Sequence, residues 1–292
     1  MHASQLTFPE PAQKRQTGKR TGTNQIFASS IFLQQFKTFK NEYLPSNFYN
    51  LKKPKKMTPY VAEIVGTFML ILLGNGVVAN VVLKGTKGHD SGWIVITLAW
   101  GLSVFTGAYI AAPYSGAHLN PAVTLGFALI GSFEWTLVPG YIICQFIGAM
   151  LGTSTVWLMH RPHYAITEDQ EAKRATFCTA PAIRNKTSNL FSEIVGTFAL
   201  IFGIFYITGA ENGSLGSLDV LPVALLVTVI GLALGGTTGY AINPARDLGP
   251  RIMHQLLPVE NKGDSDWSYS WIPAIGPMIG SAIAAGLYLL LK

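Results

Sequence analysis

The chain has 292 residues, 49% of them hydrophobic and only 12% charged, with a mean hydropathy of +0.33. That balance excludes an ordinary soluble domain and points to a polytopic membrane protein. The formal charge of +6 is uneven: residues 1–56 hold ten Lys/Arg against two acids, and the rest hold eleven against thirteen. The body is therefore near neutral and offers no nucleic-acid surface.

In chain order, the first unit is a basic N-terminal tail, residues 1–56. Phe32, Phe36, Phe39 and Tyr43 recur at intervals of four, three and four, with Lys37 and Lys40 between them. The pattern fits a short amphipathic helix on an anionic leaflet. It equally fits a basic, acid-poor transit peptide, and a disordered or extended start ahead of Met57 is the simplest reading. Lys52, Lys53, Lys55 and Lys56 stand directly before the first apolar stretch. By the positive-inside rule they set the N-terminus in the cytoplasm of a cell whose plasma membrane the chain crosses.

Six stretches apolar and long enough to span follow, roughly 60–83, 93–112, 135–158, 190–209, 219–238 and 271–291. An even number returns Lys292 to the cytoplasmic side. The external loop between the third and fourth works against this orientation, since it carries Arg161, Lys173, Arg174, Arg184 and Lys186. Cys144 falls within a span and Cys178 in a loop, so no disulfide framework or metal spacing is expected.

Two copies of one triplet interrupt the spans, Asn120-Pro121-Ala122 and Asn243-Pro244-Ala245. Asparagine is a favoured N-cap and proline suits the first helical turn, so each triplet reads as a helix start. About ten residues follow each, or ~15 Å of helix against a ~30 Å hydrocarbon core. The surroundings repeat as well: Glu63-Ile-Val-Gly-Thr-Phe68 recurs letter for letter as Glu193-Ile-Val-Gly-Thr-Phe198, and Gly116-Ala-His-Leu-Asn-Pro-Ala122 is echoed by Gly239-Tyr-Ala-Ile-Asn-Pro-Ala245. The channel domain, residues 57–292, thus divides into repeats of about 57–158 and 190–292. Each repeat is three spans plus one half-helix, and an odd span number forces opposite orientations. The expected fold is all-α and membrane-embedded, an inverted 3+3 repeat of six transmembrane helices and two re-entrant half-helices, with its site near the midplane.

In such a fold the half-helix N-termini face each other, each carrying roughly half a positive charge. That barrier opposes cations and protons but not a neutral polar solute, which the amides of Asn120 and Asn243 can meet. Glu63 and Glu193 lie inside apolar spans, at ~2.5–3.5 kcal/mol each on insertion scales. They are expected to accept backbone N–H groups of the irregular stretch before each half-helix, the competing role being a proton relay. His118 is expected to be a satisfied buried hydrogen bonder. Arg246 opposes the dipole of its own helix, which suggests several donors held at a constriction. Asp247 suits that N-terminus and is expected to position the turn. Gly148 with Gly152, and Gly276 with Gly280, have the four-residue spacing of closely packed membrane helices. No nucleophile–base set, phosphate loop or metal cluster is legible, so no enzyme activity and no cofactor are expected.

Together these motifs resemble the aquaporin, or major intrinsic protein, family over about residues 57–291. The resemblance implies one pore per subunit and a homotetramer in the bilayer. Asp247 directly after Arg246, Arg251 four further on, and Pro273-Ala274 are similar to the glycerol-facilitator branch. The family's selectivity filter then falls on Trp100, Gly231, Tyr240 and Arg246. Gly231 stands where water-selective members carry histidine, and Tyr240 stands where the familiar glycerol channels carry phenylalanine. Two aromatic faces opposite one guanidinium match the outline of glycerol, and the backbone carbonyls of Gly116, Ala117, His118 and Leu119, and of Tyr240, Ala241 and Ile242, would accept its hydroxyls. The resemblance thus implies a passive channel for glycerol and small neutral polyols with some water conduction. The alternatives are a water-selective pore and a proton-coupled secondary transporter.

Overall fold

The computed structural model describes residues 57–209 and 215–292. The aromatic pattern at Phe32–Tyr43 and the lysine cluster lie outside the described residues. Among those residues all regular structure is helical: α1 Pro59–Val82, α2 Trp93–Ser115, α3 Pro121–Leu129, α4 Val138–Ile166, α5 Gln170–Ala175, α6 Lys186–Ile207, α7 Leu221–Leu234, α8 Pro244–Leu256 and α9 Trp271–Leu291. Helices α1, α2, α4, α6 and α9 are long and apolar enough to cross a membrane. The fifth expected span, 219–238, contains a helix of only 14 residues. Its ends are wound differently: a 3₁₀ turn at Gly216–Leu218 precedes it, and turns continue through Thr238, with Gly239 N–H donating to Gly235 O at 2.8 Å. Gly235 and Gly236, poor helix formers, account for the early end. The loop between α4 and α6 adds an unforeseen helix, α5, capped by Asp169, whose carboxylate accepts from Glu171 N and Ala172 N at 2.8 and 3.1 Å.

The two half-helices are α3, of nine residues, and α8, of thirteen. At 1.5 Å per residue neither crosses a ~30 Å core. Packing follows an internal twofold. Helix α1 lies on α2 and α4, as α6 lies on α7 and α9; α2 meets α7 across the repeats; α3 packs on α9, and α8 on α4. Each half-helix is therefore held by a span of the opposite repeat. Outward faces expose Leu102, Ile143, Leu151 and Ile283, side chains that acyl chains rather than water solvate.

The repeated hexapeptide has a packing reason. A Cβ on Gly148 would collide with the carbonyl oxygen of Ile64 and lie 2.9 Å from Thr67 Cβ and 3.0 Å from Phe68 N. One on Gly280 would collide with the carbonyl oxygen of Ile194 and lie 3.0 Å from both Thr197 Cβ and Phe198 N. The same three atoms of each copy receive the same glycine. The inner glycine of the hexapeptide faces the other way: a Cβ on Gly66 would lie 2.6 Å from the Leu119 side chain, and one on Gly196 3.1 Å from that of Ile242. One surface of the hexapeptide thus accepts a crossing helix, and the other seats the strained loop before a half-helix.

Gly148→Ala and Gly280→Ala should each lower thermal stability in detergent by about 1–3 kcal/mol, the range of overpacked cores. Gly286→Ala, where a Cβ meets nothing within 4 Å, should leave the melting temperature unchanged or slightly raised. Equal behaviour of all three would contradict this packing account.

Candidate conduction pore

The pore is built on two stretches of non-helical backbone. Before α3, φ is positive at Gly116, Ala117 and Leu119 (78°, 53° and 52°); before α8 it is positive at Gly239, Tyr240 and Ile242 (78°, 38° and 43°). Left-handed backbone costs non-glycine residues ~1–3 kcal/mol, and a β-branched residue such as Ile242 is a true outlier there. Buried carboxylates over-determine both stretches. Glu63 Oε1 accepts from Ser115 Oγ at 2.6 Å and His118 N at 3.0 Å, while Oε2 accepts from Leu119 N at 2.7 Å and Gln145 Nε2 at 2.8 Å. Glu193 Oε1 accepts from Thr238 Oγ1 at 2.7 Å and Ala241 N at 3.0 Å, and Oε2 from Ile242 N at 2.9 Å. Both side chains are fully buried, and neither reaches the cavity wall.

The half-helix N-termini are tied to each other. Asn120 Oδ1 caps α3 at Ala122 N (2.8 Å), and Asn243 Oδ1 caps α8 at Ala245 N (3.0 Å) and Arg246 N (3.1 Å). Asn120 Nδ2 donates to Ile242 O and Asn243 Nδ2 to Leu119 O, both at 2.8 Å. Pro121 and Pro244 occupy the first helical turn, and Ala122 and Ala245 are fully buried behind them. This reciprocal pair ties the loop of each repeat to the half-helix cap of the other. Each asparagine keeps one free N–H, and the carbonyls of Leu119 and Ile242 each keep one lone pair.

A cavity of about 260 Å³ runs past this junction, smaller than the ~300–1,000 Å³ that drug-sized ligands occupy. Its wall includes Gly116, Ala117, His118, Leu119, Ala241 and Ile242, both motif asparagines, and apolar side chains such as Val104, Val123, Leu200 and Val227. The His118 ring is spoken for: Nδ1 bonds Thr124 Oγ1 at 3.1 Å, and the ring stacks on Phe127 at 5.2 Å.

Trp100, Tyr240 and Arg246 also line the cavity. Gly231 stands behind them rather than on the wall. A Cβ there would lie 2.7 Å from Tyr240 Cζ, 2.8 Å from its hydroxyl and 3.0 Å from Thr97 Cγ2. The absent side chain is thus the seat of the tyrosine ring, and the phenol hydroxyl points into the α2–α7 crevice rather than across the lumen. Trp93 secures the seat, donating Nε1–H to Gly231 O at 3.1 Å and meeting the tyrosine edge-on at 5.8 Å.

Asp247 turns away from the cavity. Its Oδ2 accepts from Thr179 N and Oγ1 at 2.8 and 2.7 Å, and its Oδ1 from Arg251 Nε at 2.9 Å. Arg251, fully buried one turn on, donates to the carbonyls of Ser265 (2.7 Å), Asp266 (3.1 Å) and Thr179 (2.9 Å). Half-helix α8 is thereby pinned to both loops of its face. Lys262 Nζ closes its other end on the carbonyls of His254, Gln255 and Leu257 at 2.7–2.8 Å. In the same loop, burial works to raise the Asp266 carboxyl, but the paired Arg184 guanidinium and Ser268 hold it below its ordinary value. The Asp247–Arg251 spacing of four is readable in sequence. Thr179 and Gln145, distant in the chain, carried no signal.

A multi-pass helical membrane protein, folded as an inverted repeat around a narrow cavity where two half-helices meet, is the class these features define. The chain belongs to the family described as Major intrinsic protein, whose profile matches residues 50–288. It is 56% identical over 232 residues to a probable glycerol uptake facilitator protein of Thermotoga maritima, covering 80% of this chain and 98% of that protein. It is 55% identical over 228 residues to a glycerol uptake facilitator protein of Streptococcus pneumoniae, covering 78% and 97%. Among solved structures, the aquaglyceroporin from Plasmodium falciparum superposes with a TM-score of 0.70 at 33% identity, covering 78% of this chain and 93% of that one.

Glu193→Gln offers one acceptor oxygen where two are used and turns an N–H toward another donor. Stability should fall by about 1–3 kcal/mol per orphaned group, read as a lower melting temperature and reduced yield of folded protein. Tyr240→Phe should leave the glycerol-to-water permeability ratio unchanged, because the hydroxyl lies outside the lumen. Gly231→Ala should push the ring inward and cut glycerol flux by roughly tenfold, as ~1–3 kcal/mol of overpacking implies. A ratio sensitive to the hydroxyl but not to Gly231 would reverse this assignment.

Proposed function

We propose that this protein is a passive channel for glycerol and related small neutral polyols, with some water conduction and exclusion of ions and protons. The observation that carries the reading is the joined pair of half-helix N-termini on the wall of a narrow cavity. Two positive helix ends at one point oppose a cation or hydronium, while a neutral solute trades its water for fixed donors and acceptors. In this reading Asn120-Pro121-Ala122 and Asn243-Pro244-Ala245 form the pore motif, and the carbonyls from Gly116 to Leu119 and at Ala241 and Ile242 form an acceptor ladder. Apolar side chains meet the C–H edge of the solute. Trp100, Tyr240 and Arg246, with Gly231 behind them, form the selectivity filter, and Glu63, Glu193 and Asp247 hold the scaffold. The printed names of the relatives support glycerol as the solute.

The channel domain comprises residues 57–292 and the tail residues 1–56. The chain resides in the plasma membrane as a homotetramer with both termini cytoplasmic. The coupled-transport alternative gives the proton relay to Glu63 or Glu193, whose carboxylates would then have to reach the solute path. Both buried glutamates instead spend their oxygens on backbone and side-chain donors away from the cavity.

Full-length protein in liposomes, followed by light scattering under an inward glycerol gradient, tests this. Rapid glycerol re-swelling, unchanged by an imposed pH gradient, is the expected result. Water shrinkage without glycerol entry would replace the reading with a water-selective pore, and dependence on the pH gradient would replace it with coupled transport.

A further inference from the structure

Glycine is disfavoured inside a helix, yet α1 carries Gly74 and Gly76 in its interior. A Cβ on Gly76 would meet only Val156 within 4 Å, at an ordinary 3.9 Å. A Cβ on Gly74 would collide with Trp100 Cζ3 and lie 2.5 Å from both Cε3 and Cη2, where carbon pairs settle at ~3.5–4.0 Å. The indole, 4% exposed, therefore lies on the α1 backbone at a place that only glycine leaves open. Arg246 rests on the same ring, its Cζ 4.2 Å from the centroid. The guanidinium makes no hydrogen bond to any described residue, and Nη1 is buried without a partner. The second repeat fills the corresponding place differently. Counted from the shared hexapeptide, Leu70 corresponds to Leu200 and Gly74 to Ile204; counted back from the Asn-Pro-Ala triplets, Trp100 corresponds to Val223. All of these line the cavity except Gly74. One turn past its leucine, α6 thus faces the cavity with its own side chain, whereas α1 withdraws and the indole of α2 covers it.

We propose that Gly74, although it is off the cavity wall, is a specificity-determining position: it seats the Trp100 indole and thereby fixes how far the ring stands into the cavity. This rests on the channel reading above. A methyl group at position 74 leaves the ring no room on the α1 side. Interiors packed at crystal density pass a displacement on rather than absorb it. The indole must then retreat from α1 by about 1 Å to regain ordinary contact, toward the space it lines. The guanidinium resting on it has to follow. Glycerol, the bulkier solute, is hindered more by that shift than water is. Gly74 is on this account a positioning residue that acts through Trp100, as Gly231 acts through Tyr240. The identity of residue 74 also decides which repeat can present a large aromatic ring, since Ile204 holds the equivalent place beside a mere valine.

A double-mutant cycle between positions 74 and 100 tests this. Water and glycerol permeabilities are measured on each full-length protein in liposomes, and melting temperatures in detergent. Gly74→Ala should cut glycerol permeability about tenfold and water permeability less, so the glycerol-to-water ratio falls. Gly76→Ala, in the same helix, should leave both permeabilities unchanged. Trp100→Phe withdraws the outer ring carbons from the seat. The double variant Gly74→Ala/Trp100→Phe should therefore match Trp100→Phe alone in both ratio and melting temperature. A Gly74→Ala protein that melts lower but keeps the unmodified ratio would reduce Gly74 to packing and overturn the proposal. So would a Gly74→Ala effect on the ratio that is undiminished in the Trp100→Phe background. If Gly74→Ala alone yields no folded protein, that background decides: a ratio changed there overturns the proposal, and an unchanged one upholds it. Unmodified protein that conducts no glycerol would overturn the channel reading instead, and the two failures are distinguishable.

Discussion

A backbone N–H or C=O inside a bilayer has no water to bond, so every non-helical residue at that depth needs a partner within the protein. The whole architecture depends on how this chain meets that constraint at two places. Glu63 and Glu193 collect the amides that the half-helix loops leave over, and the left-handed residues are locked as a consequence. With those amides occupied, residues of the same loops line the cavity. A carboxylate in the membrane is usually read as a moving proton site. Here it is a fixed anchor, and the cost of burying it is offset by three or four short hydrogen bonds.

The internal symmetry extends that anchor into a frame. Glycines at 148 and 280 let α4 and α9 lie against the backbone of α1 and α6, which brings the glutamates to the loops they hold. The reciprocal bonds from Asn120 and Asn243 then fasten one loop to the other. Neither half-helix is stable alone: at nine and thirteen residues both fall near or below the length at which isolated helices survive in water. Each is fixed by its cap, by the opposite repeat and, for α8, by the buried Asp247–Arg251 pair that ties it to two loops. Rigidity at the junction follows from this bonding rather than from helix propensity.

The stretch of cavity wall at Trp100, Tyr240 and Arg246 is built on a different principle. Its determinants are one missing side chain and one unbonded cation. Gly231 gives the Tyr240 ring a place to lie, so a change from glycine acts through the ring and not by direct contact with solute. Arg246 is held by an aromatic face instead of by carbonyls, which leaves its donors uncommitted. On the proposed channel reading, selectivity at this point arises from what the side chains are not bonded to, as much as from their size.

The sequence by itself determined the fold class, the inverted repeat and the positions of the half-helices. These rest on local signals: apolar length, an Asn-Pro helix start, and a hexapeptide repeated letter for letter. Glu63, Glu193 and Asp247 were also legible, because a charge in an apolar span must be answered by nearby donors. The length of α7 was not, since periodicity cannot separate a helix from the turns that continue it past Gly235. The roles of Gln145 and Thr179 depend on contacts between residues far apart in the chain. The tertiary structure alone decided that the asparagines bond each other's loops, that Gly231 lies behind Tyr240 and that Arg246 rests on Trp100. Each of those is set by how helices of the two repeats cross, and no stretch of sequence carries the distance between two helices.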